Sequence, residues 1–142
     1  MKKLKTQIGL FCIILFYASF STAEISVIVH PDNGITSINE KATKKIFLGK
    51  SKKFPGGGKA VPIDQSGGSA TRDAFHSKVT KKNAAKLKSY WSRMVFTGKA
   101  QSPKEVADDA AVIGKVSGNP KAIGYVDSGS VNESVKVVLT IP

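Results

Sequence analysis

The chain has 142 residues, with 22 basic against 10 acidic side chains and a net charge of +12. That length holds one domain with a modest core. Its one cysteine, Cys12, lies near the start, so no disulfide or cysteine-built metal site forms in the rest of the chain. A field of this sign attracts anions.

Met1 to Lys5 carries three lysines, Ile8 to Phe20 is apolar, and Ser21-Thr22-Ala23 is small. That is the order of a signal peptide, with cleavage expected after Ala23 and delivery to a bacterial periplasm. The apolar run is short for a membrane span, and Phe11 before Cys12 argues against a lipoprotein cleavage site. Residues 24–142 then form the working domain, with 19 basic and 10 acidic residues and a net charge of +9. Nucleic acid is the usual partner of such charge, but export argues against it. Small oxyanions, an acidic protein and an anionic envelope surface remain, beside the plain reading of solvated surface lysines.

Glu24 to His30 is rich in β-branched residues and reads as a strand, followed by turn residues Pro31 to Gly34. Ser37 to Glu40 fits a capping box, Ile38, Ala42 and Ile46 a helical stripe, and Gly49 a terminator. Lys50 to Lys59 is a basic loop with three consecutive glycines, expected to be mobile. Val61 and Ile63 form a short strand. A helix is expected from about Ala70 to Val79, and Thr80 is a candidate cap for the next one. Ala84, Leu87, Trp91 and Met94 line one helical face, which makes Trp91 a core residue, and Gly98 ends it. Ser102 to Glu105 reads as another helix start, with Val106, Ala110 and Ile113 along its buried face. Ala122 to Val126 and Val135 to Ile141 are strands. The fold class is therefore α/β, a mixed, mostly parallel sheet of about four strands flanked by helices.

The informative stretch runs from Ala60 to Phe75: strand, glycine turn, helix start. A helix start presents N–H groups without internal partners and the positive end of the helix dipole. Glycines let backbone approach a ligand, Ser69 and Thr71 add hydroxyls, and Arg72 adds a planar fork for an oxyanion. Arg72 lies roughly 60° from Phe75 on a helical wheel, so it leans toward the packed side. The pattern makes an anion cradle, though Ser69 also fits a plain N-cap. It is neither a P-loop nor a dinucleotide fingerprint. His30 and His76 stand alone, Asp108 and Asp109 are adjacent helix-start charges, and no serine sits in a nucleophile elbow. No enzyme, metal site or cofactor is expected.

Several stretches in order — Ile46 to Lys50, Gly68 to Phe75, Tyr90-Trp91 with Phe96 to Lys99, and Ala122 to Val126 — resemble the PstS-like periplasmic phosphate-binding proteins of ABC transporters. The similarity implies a single lobe of the periplasmic-binding-protein type. It also implies that Gly68, Ser69, Ala70, Thr71 and Arg72 hold phosphate or a similar oxyanion. Ala70 stands where the family has glycine, and Gln65 and Gly67 stand where many members have arginine and aspartate. An acceptor for the proton of monohydrogen phosphate is then wanted, and Asp64 at the strand end is the candidate. The family's transport members have two lobes and about twice this length, so the resemblance is to a half-size member: either it binds phosphate weakly, or a second copy (a homodimer) or a partner completes the cleft, or the site is vestigial. A permease, a sensor and a porin are the partners considered. The alternative function is a binding-protein lobe reused as an envelope interaction module, favoured by the missing lobe and the Lys50–Lys59 loop.

Overall fold

The computed structural model describes residues 23–142; the expected leader, except Ala23, lies outside the described residues. Five strands form one sheet in the order β3-β2-β4-β1-β5, where β1 is Ile25–Val29, β2 Val61–Gln65, β3 Lys104–Val106, β4 Ala122–Asp127 and β5 Lys136–Ile141. The sheet is mixed: β2 runs parallel to β3 and β4, whereas β1 pairs antiparallel with β4 and β5. Four α-helices flank it: α1 (Glu40–Phe47), α2 (Ala70–Lys78), α3 (Ala84–Phe96) and α4 (Asp109–Ser117).

Strand alternation divides the core between the two faces. Val27 and Val29 of β1 with Ile123 and Tyr125 of β4 face Phe47 of α1 and Phe75 of α2. Ile28, Ile63, Ala122 and Val126 face Val112, Ile113 and Val116 of α4 on the other side. Every residue of β1 is buried, as a central strand covered on both faces requires. The first face is aromatic at its centre. Phe75 stacks on Tyr125 at 3.9 Å, and Phe47 meets both edge-on. A smaller cluster of Leu48, Leu87 and Trp91 joins α3 to the end of α1, with Trp91 in the core as its spacing predicts.

Helix ends follow side-chain chemistry, not always at the predicted residue. Asn39, not Ser37, caps α1, taking the Ala42 N–H at 2.7 Å. Ile38 stays outside the helix and donates its N–H to Val138 of β5. Gly49 does end α1: at φ +70° it closes a Schellman motif with Lys50 N–H on Lys45 O at 2.8 Å. Asn83, not Thr80, caps α3; Thr80 is buried and bonded to His76. The larger correction is at Ser102 to Glu105. Lys104–Val106 is the fifth strand, paired with Ile63 to Gln65, and the helix begins only at Asp109 behind its cap Asp108. The open edge of β2 takes this segment as a strand, and an aspartate cap is at least as strong a helix start as serine. The Lys50–Lys59 loop is a closed hairpin, with a Lys53–Lys59 bridge and Phe54 buried in the core.

Gly124 sets the contact between β4 and α4. A Cβ there would lie 2.5 Å from Val112 and 3.2 Å from Val116 side chains. Gly124→Ala is expected to cost about 1–3 kcal/mol through overpacking, and Gly124→Val more, read as a lower urea midpoint at an unchanged slope. A midpoint unaffected by valine would show that α4 moves freely over the sheet.

Candidate functional site

β2 ends in Asp64 and Gln65, and the chain turns through Ser66, Gly67 and Gly68 into α2. Gly68 has φ +92°, with no atom within 4 Å of the position a Cβ would take; the turn, not crowding, calls for glycine there. Ser69 caps α2 and accepts the Arg72 N–H at 3.1 Å. Asp73 N–H goes to Ser69 O and Ser69 N–H to Ser66 O. The N–H groups of Ala70 and Thr71, first in the helix, have no partner among the described residues. The Thr71 hydroxyl has none there either.

The five cradle residues Gly68 to Arg72 thus lie in one helix start, and Asp64 lies beneath it. Asp64 is 2 % exposed. Its carboxylate accepts from the Tyr125 hydroxyl, the Gln65 N–H at 2.9 Å and His76 Nε2 at 3.1 Å. Arg72 Nη1 stands 3.9 Å away. Burial alone would push this carboxyl up, but the hydrogen bond and charge of His76, then Tyr125 and Arg72, outweigh it and hold it below its ordinary value. Burial and the neighbouring Asp64 push the Tyr125 phenol well up. Nε2 of His76 faces a carboxylate and so carries a hydrogen, while Nδ1 meets Thr80 Oγ1 at 3.0 Å.

Gln65 orders the rim. Its Oε1 accepts the Ser69 hydroxyl at 2.6 Å, and its Nε2 donates to Asp109 at 2.6 Å and to Tyr125 O at 3.2 Å. The reverse amide orientation would set an acceptor against two acceptors. Asp109, in the first turn of α4, also takes the Ser130 hydroxyl at 2.7 Å and the Asp127 N–H at 3.2 Å. The helix-start charge therefore ties α4, β2 and the turn after β4 together.

Arg72 is 13 % exposed at its side chain, in keeping with its inward lean. Its Nη1 donates to Gln65 O and, at 3.0 Å, to Glu105 of β3. Burial pulls the guanidinium down, and the charges of Asp64 and Glu105 more than restore it. Nε and Nη2 have no hydrogen-bond partner among the described residues. Arg72 and Gly67 open onto a groove of about 770 Å³ whose walls are Leu87, Trp91, Val95 and Phe96 of α3, with Glu105 opposite.

Sequence reasoning missed Gln65, His76, Tyr125 and Glu105 as members of this network. One signal was available: Arg72, His76 and Thr80 are spaced by four and share a helix face. Tyr125 and Glu105 join only through strand order.

No family model matches the sequence, and no curated protein does. Solved structures do match. A candidate phosphate ABC transporter substrate-binding protein from Clostridium perfringens, solved with bound phosphate, is 29 % identical at TM-score 0.64. The match covers 82 % of this chain and 45 % of that one. This chain has the fold of about half of a phosphate-transporter substrate-binding protein. An ABC-type phosphate transport receptor from Vibrio cholerae (18 % identity, TM-score 0.65) and PstS from Borrelia burgdorferi (20 %, 0.61) share that fold, each over 82 % of this chain. The matches cover 46 % and 47 % of those chains, so the chain spans about half the length of the phosphate-transport proteins it resembles.

The Asp64 network predicts an acid limb. A carboxyl depressed in the folded state contributes stability that is fully present above its unfolded value, about 3.9, and is lost as pH falls through the folded value. Asp64→Asn is expected to cost about 3 kcal/mol at neutral pH, as for a buried pair deprived of one partner. The gap in urea midpoint between wild type and variant should then shrink as pH falls below about 4. A gap of constant size down to acid pH would remove Asp64 from the charged network.

Proposed function

We propose that this chain binds inorganic phosphate or a similar oxyanion at the start of α2, as an exported substrate-binding domain serving a phosphate transporter. Gly68, Ser69, Ala70, Thr71 and Arg72 form the site, and binding involves no catalysis, cofactor or metal. The observation that carries the reading is the conjunction at one helix start of Ala70 and Thr71 N–H groups, the Thr71 hydroxyl and two nitrogens of Arg72, all without a partner among the described residues, in a fold shared with a phosphate-bound protein. Backbone N–H groups aimed along a helix axis and a guanidinium fork both suit a tetrahedral oxyanion. Asp64, spent on Tyr125 and His76, holds the floor of the site in this reading and does not touch the anion. The expected leader, with cleavage after Ala23, supports a periplasmic location in this reading, and a permease of the ABC type is the partner this role calls for.

Thermal unfolding of residues 24–142 with phosphate, sulfate and chloride at matched ionic strength tests the site. A ligand at one hundred times its dissociation constant stabilises by about 2.7 kcal/mol, so phosphate should raise the melting temperature progressively. Arg72→Ala should abolish the rise, whereas Lys121→Ala, which changes charge equally, should not. An equal rise with sulfate would make the site a general oxyanion cradle. No rise with any anion would overturn the reading in favour of an interaction module.

A further inference from the structure

A second groove, of about 700 Å³, opens at the other end of β2 from the α2 start, beside Val61 and Pro62. Its rim carries four exposed lysines from three separate pieces of chain: Lys52 and Lys59 from the hairpin, Lys99 just after α3, and Lys104 at the head of β3. No acidic residue lines it. None of the four is in a salt bridge among the described residues. Its floor is apolar, formed by Ala60, Val61, Trp91 and Val95, and Val95 is 53 % exposed.

The lysine backbones are fixed, not loosely strung. Ala60 N–H donates to Lys52 O and Phe54 N–H to Gly58 O, both at 2.9 Å. The turn needs three successive glycines at φ between +84° and +105°, and Phe54, 5 % exposed, pins it to the core. Lys99 N–H closes the end of α3 on Met94 O at 3.0 Å. Lys115 of α4, outside the groove, lies within hydrogen-bonding reach of Lys104, and that contact, then its like charge, lowers the Lys104 ammonium from its ordinary value. Four like charges held around one apolar depression repel one another, and an opposite charge seated between them relieves that repulsion.

We propose that this groove docks an acidic segment of a partner protein, with carboxylates at the lysine rim and an apolar side chain over Val95 and Trp91. Charge complementarity of this kind steers association and fixes register. The concave shape favours a polypeptide over a bilayer, because Trp91, 9 % exposed below the rim, is out of reach of a flat surface.

The test uses a fluorescein-labelled octapeptide of alternating glutamate and leucine and reads anisotropy. Binding should weaken by at least about tenfold when Lys52, Lys59, Lys99 and Lys104 all become glutamate. Changing Lys41, Lys81, Lys82 and Lys86 to glutamate gives the same net charge away from the groove lining, and should weaken it less than about threefold, since those charges are screened across the surface. A glutamine quadruple at the groove serves the same purpose should charge reversal disturb folding. Equal losses from the two quadruples would overturn the proposal as mere net-charge attraction. So would absence of peptide binding together with groove-dependent binding to phosphatidylglycerol vesicles, which would assign the face to a membrane.

Discussion

One buried carboxylate holds the functional end of this protein together. Asp64 is almost wholly removed from bulk water, so its charge is stable because three donors converge on it and Arg72 stands near. Those donors come from different elements: Tyr125 from β4, His76 from α2, and the Gln65 N–H from β2 itself. Removing any one strips a partner from a charge that sits inside an apolar layer, beside the stacked Phe75 and Tyr125 rings. The carboxylate therefore fixes the position of α2 over the sheet more sharply than apolar contact alone would. Phe75 and Val79 supply the burial that attaches the helix, and Asp64 with His76 supplies its register.

That register decides what the helix start can offer. Gln65 stands next to Asp64 and connects Ser69 to Asp109, so the first turn of α2 and the first turn of α4 are tied through one amide. Arg72 reaches back over the end of β2 to the Gln65 carbonyl and out to Glu105. Its Nη1 is taken up internally while Nε and Nη2 are not. In the proposed reading an incoming anion would meet a guanidinium already oriented, though shared with two carboxylates. The Ser69 hydroxyl shows the same division: its hydrogen is committed to Gln65, and its oxygen to Arg72 N–H. Of the hydroxyls in the cradle, Thr71 is the one with a hydrogen to give.

Local chemistry made much of this legible. The glycine turn into α2, the Ser69 cap, the inward lean of Arg72 and the core role of Trp91 all follow from spacing and residue type. Where the reading failed, pairing partners distant in sequence decided the outcome. Ser102 to Glu105 carries a sound helix-start pattern, yet Glu105 and Val106 bond to β2, forty residues upstream, and become a strand. The strand end makes Asp64 a candidate ligand acceptor, but the partners it meets here were not legible: its carboxylate accepts from the adjacent Gln65 N–H, from Tyr125, about sixty residues away, and from His76, which spacing did align with Arg72. Gly124 shows the same limit. Its place in Ala122 to Val126 is plain, but the reason for glycine is the approach of Val112 across the layer.

The distribution of charge separates two kinds of cation. Arg72, largely buried, is balanced by Asp64 and Glu105, so its charge adds little to the field outside and acts at contact range. The lysines, by contrast, form no salt bridge among the described residues and account for almost all of the long-range field. In the proposed reading, a small anion approaching the α2 start would be drawn in by lysines that never touch it and held by groups whose charge is already partly spent. Such an arrangement favours fast arrival and easy release over tight retention, because steering raises the on-rate while retention depends on the few contacts made at the end. In that reading, a helix-start cradle with its arginine shared would be suited to passing an anion onward more than to storing it.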